Sequence, residues 1–100
     1  MKAVERKHYA RLVDVGCIAC RMSGIYNTPP EIHHIRHGAG MGRKNDYRMA
    51  IPLCPAHHRG IAGNKVPSIH GTPNNFKYRF GAELDMLAEV NRILEGDDNA

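Results

Sequence analysis

Leu53-Cys54-Pro55-Ala56-His57-His58 closes an apolar run, places a proline where a helix can begin and finishes on adjacent histidines. Cys54 and His57 form a short-spaced ligand pair of the same step as Cys17-Ile18-Ala19-Cys20 upstream. A tetrahedral structural zinc takes four nitrogen or sulfur ligands, commonly as two such pairs from distant parts of a chain. Cys17, Cys20, Cys54 and His57 fill that number, with His58 as the alternative to His57. A second histidine pair lies in Glu31-Ile32-His33-His34-Ile35. His33, His34 and His58 therefore exceed what one staple requires, and imidazoles beside a fixed scaffold are candidates for a second, catalytic site.

Around these runs the patterning predicts an α+β chain. Ala3 to Val15 reads as a helix, with Val4, Tyr9, Leu12 and Val13 as a rough apolar stripe and Gly16 as its stop. Ser23 to Pro30 is turn-like. Glu31 to Arg36 is a strand candidate whose alternation sets His33 and His34 on opposite faces. Gly38-Ala39-Gly40-Met41-Gly42 is a turning loop, without the Lys-Ser or Lys-Thr continuation of a phosphate-binding P-loop. Met49 to Leu53 is a second strand, confined to a sheet edge by Pro52. Pro55 suits the first turn of a short helix through His57, His58 and Arg59, which Gly60 and Gly63 should end. Asn64 to Asn75 reads as loop.

Asn75 to Gly96 has the clearest helical pattern, with Phe76, Phe80, Leu84, Leu87, Val90 and Leu94 at spacings of three and four. Asn74 or Asn75 can cap its start and Gly96 its end, while Gly81 marks either a break or close packing. Tyr78, Phe80, Met86 and Leu87 are assigned to the core. His8 is placed on the exposed face of the first helix and His37 in the glycine-rich loop.

One hundred residues predict a single domain, near the size at which an apolar core alone is barely sufficient, so extra stapling is expected. No apolar stretch approaches the roughly 20 residues that span a bilayer. Met1 to Arg11 carries basic residues without the apolar core of a secretory signal, which makes the cytoplasm the expected compartment. Three cysteines cannot complete a set of disulfides, and reduced thiols favour metal binding. Up to Phe80 there are 13 Lys and Arg against 4 Asp and Glu, net +9; from Gly81 onward there is 1 against 6, net −5. Arg36, Arg43, Lys44, Arg48, Arg59 and Lys65 lie between or beside the histidine motifs, where a polyanion approaching them would be met.

The order Cys-x-x-Cys, His-His on a first strand, a glycine-rich loop, a second strand ending in Leu-Cys-x-x-His-His and then a helix resembles an HNH nuclease of the His-Me finger superfamily, with its β-β-α-metal fold. Within that superfamily, Ile51-Pro52-Leu53-Cys54-Pro55-Ala56-His57-His58-Arg59-Gly60, followed by Ser68-Ile69-His70-Gly71, is most similar to phage and prophage recombination-associated nucleases of the Ref type. The resemblance covers Cys17 to Gly71 and extends less specifically into the C-terminal helix. It implies one nuclease domain over residues 1–100, with a metal-finger core at about 17–71 and the C-terminal helix at about 75–95.

Residue by residue, the resemblance implies that His34 is the general base that takes a proton from the attacking water. His33 and His58 match ligands of one catalytic divalent cation, Mg(II), Mn(II) or another transition metal, beside the structural Zn(II). The position that often carries a third ligand is Ala62; His70 can replace it from the following loop, or can touch phosphate while water completes the metal. Asn45 and Asp46 compete for the middle position that orders the loop between the strands, and Asp46 is preferred. DNA is then the substrate, its phosphates met by the six cationic residues named above, and a recombinase is the candidate second partner. The expected reaction is endonucleolytic hydrolysis of DNA, in the cytoplasm of a bacterial host if the chain is phage-encoded. A non-catalytic zinc module that binds nucleic acid or a recombination protein is the main rival. A toxin-like or restriction nuclease that depends on another domain or partner is the third class.

Overall fold

The computed structural model describes residues 1–36 and 46–98. The glycine-rich loop, His37, Arg43, Lys44 and Asn45 lie outside the described residues. In chain order the elements are α1 (Ala3–Val15), α2 (Ile18–Met22), β1 (Glu31–His34), β2 (Ala50–Leu53), α3 (Pro55–His58), α4 (Pro73–Phe80) and α5 (Glu83–Asp98). This is the α+β arrangement expected, with strand, strand and short helix between flanking helices. No helix among the described residues is long and apolar enough to cross a membrane.

The strands pair antiparallel, with Glu31 opposite Leu53, Ile32 opposite Pro52, His33 opposite Ile51 and His34 opposite Ala50. Both are shorter than the sequence pattern predicts, although Ile35 N–H still donates to Met49 O at 2.8 Å. Pro52 occupies an edge, as its missing N–H requires, because a two-stranded sheet has nothing else. Even so, every residue of β2 is buried, since α1, α2 and α5 pack against it. Alternation on β1 buries His33 and leaves His34 half-exposed, which separates the two histidines as predicted.

The N-terminal helix has the expected bounds but a different inner face. Leu12 and Val15 are buried and Tyr9 packs partly against the core. Val4 and Val13 are 54% and 51% exposed, so the stripe runs through positions 9, 12 and 15 instead. His8 is not on an open face: its ring meets Tyr47 edge-on at 5.4 Å, and burial, with Arg11 nearby, lowers its pKa. Gly16 stops α1 at φ +78°, where a Cβ would sit 3.2 Å from Thr28 O. That close approach lets Cys17 N–H donate to Thr28 O and turns the chain directly into α2, a helix too short to announce itself in the sequence.

The single C-terminal helix expected from the pattern is two helices. Pro73 at the first turn starts α4, with Thr72 rather than Asn74 or Asn75 at the N-cap. Gly81, at φ +93°, breaks the chain before α5, which runs past Gly96 to Asp98. The expected inward positions Leu87, Val90 and Leu94 survive the break. Met86, Leu87, Val90, Ile93 and Leu94 enter the core, while Leu84 is partly exposed and Tyr78 stands clear of the core at 95% exposure. Arg11 ties α1 to α5 by donating to Leu94 O at 2.7 Å.

Candidate functional site

Two clusters of metal-binding side chains are assembled around α3, and the adjacent residues His57 and His58 belong to different ones. Cys17 opens α2, where its sulfur accepts the Cys20 N–H at 3.4 Å; Cys54 ends β2, and His57 follows in the first turn of α3. His57 Nδ1 lies 3.6 Å from Cys17 Sγ, 3.5 Å from Cys20 Sγ and 3.3 Å from Cys54 Sγ, and Cys20 Sγ lies 3.8 Å from Cys54 Sγ. A tetrahedron with bonds of about 2.3 Å to sulfur and 2.0 Å to nitrogen has edges of about 3.8 Å between sulfurs and 3.5 Å between sulfur and nitrogen. The four donors therefore fit a zinc ion by type and by spacing, and His57 rather than His58 completes the set. All four residues are buried, and the Phe80 ring stands edge-on to His57 at 5.3 Å. Burial, more than the neighbouring thiols, pushes the Cys17 thiol up to about 12. A cation is what would stabilise thiolates in such a place.

The second cluster contains His33, His58 and His70, with one ring nitrogen from each within 4.8 Å of the others. His33 is buried on β1, His58 is half-buried on α3 and His70 is exposed. His70 is returned to the site by the loop after α3: Ile69 N–H donates to His57 O at 2.8 Å and His70 N–H to His58 O at 3.1 Å. Ser68 fastens that loop by accepting the Gly71 N–H at 2.9 Å. A Cβ on residue 71 would lie 2.4 Å from Ser68 Oγ, so a side chain there would displace the hydroxyl that holds the loop.

Carboxylates fix the outer nitrogens of two of these rings. His33 Nε2 is 2.6 Å from Glu83 Oε2, and His58 Nδ1 is 2.9 Å from Glu31 Oε1. An ionised carboxylate only accepts, so the hydrogen of each neutral imidazole sits on that outer nitrogen. The inner nitrogens, His33 Nδ1 and His58 Nε2, then face each other with lone pairs at 3.3 Å. Two lone pairs at that distance repel unless a cation lies between them. Two nitrogens bound to one ion at about 2.1 Å are about 3.0–3.4 Å apart, so this cluster also fits a metal. Burial lowers the pKa of His33 despite the opposing pull of Glu83, which keeps the ring neutral as a ligand must be.

His34, on the other face of β1, has a different partner. Its Nε2 lies 3.1 Å from the hydroxyl of Tyr9 on α1, with the rings edge-on at 6.0 Å. Asp46 sits at the turn that leads into β2, its carboxylate accepting the Arg48 N–H at 2.9 Å and its carbonyl accepting the Met49 N–H at 2.9 Å.

A family model described as "Recombination enhancement, RecA-dependent nuclease" matches residues 1–95. The chain belongs to the RecA-dependent nuclease family. A nuclease linked to recombination acts on DNA, and the cationic residues of this family member fall into two groups. Arg59 is committed to Glu31, donating to both carboxylate oxygens at 2.9 and 2.7 Å, and thereby helps to hold the partner of His58. Arg48 is paired with Asp46. Arg36 and Lys65 are exposed.

Glu31, Glu83 and Tyr9 were not legible as site residues from spacing alone. Glu31 had a usable signal, since strand alternation puts it on the face of His33. Glu83 and Tyr9 reach His33 and His34 only through the tertiary fold. Replacing Glu83 by Gln should weaken divalent-cation binding at the three-histidine cluster by about 10–100-fold, because it loosens a ligand's orientation and basicity. Titration of Mn(II) into zinc-loaded protein measures this. Parent-like Mn(II) affinity in the variant would count against the cluster as a metal site.

Proposed function

We propose that the chain is an HNH-type, metal-dependent DNA endonuclease of phage or prophage origin, with His34 as general base. The observation that supports this reading most strongly is the His33–His58–His70 cluster, with two of its rings oriented by carboxylates, one residue away from a histidine directed elsewhere. In this reading His33 and His58 hold one divalent cation and His70 is its third ligand. The bound cation would supply Lewis-acid stabilisation of charge at the scissile phosphate and the departing oxygen.

The chain's own groups perform the remaining steps. A neutral imidazole can take a proton near pH 7, because its unperturbed pKa is about 6.5. His34 removes one proton from water as the water oxygen bonds to phosphorus. The phosphorus bond to the 3′ oxygen breaks, and that oxygen takes a proton from solvent, leaving 5′-phosphate and 3′-hydroxyl ends. Asp46 orders the turn into β2 and so helps to hold the strand opposite His34. Arg36 and Lys65, with Arg43 and Lys44 outside the described residues, meet the DNA phosphates, whereas Arg48 and Arg59 act first on the carboxylates beside them. Phosphate contacts carry no sequence information, so low sequence specificity is expected. A recombinase presenting the DNA is the partner that the family description suggests.

End chemistry tests this reaction. Nicks made in plasmid should be resealed by a DNA ligase that demands 5′-phosphate and 3′-hydroxyl, and nicks that resist ligation until their ends are exchanged would contradict it. DNA affinity should also fall steeply with salt, each neutralised duplex phosphate contributing about −0.9 to the log–log slope. Fluorescence anisotropy from low to physiological salt measures the slope, and a flat response would remove the cationic face from the account.

A further inference from the structure

The contact between Tyr9 and His34 crosses from α1 to β1 and joins residues 25 apart in sequence. A neutral imidazole carries one N–H and one lone pair, so whichever role Nε2 plays toward the phenol dictates the opposite role for Nδ1. If the phenol donates, Nδ1 holds the hydrogen and cannot accept another. If the phenol accepts, Nδ1 is bare.

The base role proposed above requires the second case, because the phenol takes up Nε2 and leaves only Nδ1 to meet a water. Burial raises its pKa, and the negative charges of Glu5 and Asp46 raise it further. The phenol therefore stays protonated at neutral pH. A protonated phenol keeps oxygen lone pairs with which it can accept the Nε2 hydrogen of His34. Tyr9 is also held in place, with its ring packed partly against the core on the helix whose Leu12 and Val15 are buried. We propose that Tyr9 is a positioning residue: its hydroxyl accepts the Nε2 hydrogen of His34 and fixes the tautomer in which Nδ1 is free to take a proton. The proposal rests on His34 being the base, as proposed above.

Tyr9→Phe keeps the ring and removes only the oxygen. Two readouts on the full, metal-loaded chain test the proposal. In the parent, the ¹⁵N shifts of the His34 ring should show hydrogen on Nε2, and in the variant a mixture of tautomers. In cleavage of a labelled DNA oligonucleotide, kcat of the variant should fall about 10-fold, the size of one hydrogen bond, with KM unchanged within about two-fold. A purely structural role would lower the melting temperature without redistributing the tautomers. Hydrogen on Nδ1 in the parent overturns the proposal without recourse to any variant, and so does parent-like kcat in Tyr9→Phe. His34→Ala is the control that separates the two claims: if it cuts as the parent does, the base assignment fails, and the ring-nitrogen shifts alone decide what Tyr9 does.

Discussion

Cys54→Ala should leave the chain without a cooperative thermal transition and with well under one zinc per molecule. The reason is the ratio of two energies. Structural zinc contributes an apparent 10–16 kcal/mol or so in small finger peptides, whereas a domain's net stability is about 5–15 kcal/mol. Here Cys54 Sγ stands within 3.8 Å of Cys20 Sγ and 3.3 Å of His57 Nδ1, so its loss removes one corner of the tetrahedron and opens a buried hole beside two thiols. The ligands also join α2, the end of β2 and α3, which makes the site a cross-link between elements that are otherwise short. Val13→Ala, on the exposed side of α1, should by contrast change stability by no more than about 0.5 kcal/mol. Circular dichroism melts with metal analysis measure both. A Cys54→Ala protein that melts cooperatively at the parent's temperature would mean that the fold does not depend on this centre.

His34→Ala should lose about 10²–10⁴-fold in the rate of DNA cleavage, the range for removal of a general base, while remaining folded. Its contact with Tyr9 is partly buried, and one such hydrogen bond is worth about 1 kcal/mol. In a domain of this size that corresponds to a melting-temperature shift of about 4–8 °C. Loss of cleavage should therefore far exceed loss of stability. Single-turnover cleavage set beside a thermal melt shows it, and a variant that loses cleavage only in proportion to a lost fold would return His34 to a structural role.

The two clusters were legible in the sequence to very different depths. Cys17, Cys20, Cys54 and His57 could be grouped because a tetrahedral ion demands two close pairs, and nothing about the intervening fold was needed. The split between His33 and His34 followed from the two-residue period of a strand. What decides the chemistry around them was hidden, because it comes from long-range packing. Glu83 reaches His33 only because Gly81 breaks the C-terminal segment and starts α5 afresh, although the helical pattern read through Gly81 places Leu87, Val90 and Leu94 in the core correctly. The pattern departs from the structure only at Leu84, exposed in the first turn of α5, and at Ile93, which joins the core without being part of the pattern. The N-terminal stripe failed differently: Val4 and Val13 are apolar, but the face that meets β2 is set by Leu12 and Val15. Arg59 was readable as a cation but not as the partner of Glu31, since charge counts do not say which carboxylate a guanidinium will meet.

In the proposed reaction, this member of the RecA-dependent nuclease family cuts DNA with a metal held by histidines and a separate histidine base. Nicking of supercoiled plasmid and of single-stranded circular DNA, by the parent and by His34→Ala, in Mg(II), Mn(II) or EDTA and with or without a recombinase filament, tests it most directly. The zinc-loaded parent should cut in at least one of the two metals and not in EDTA, and the variant should not cut. A folded, zinc-loaded parent that leaves every substrate intact in every condition, or a variant that cuts as well as the parent, would contradict it.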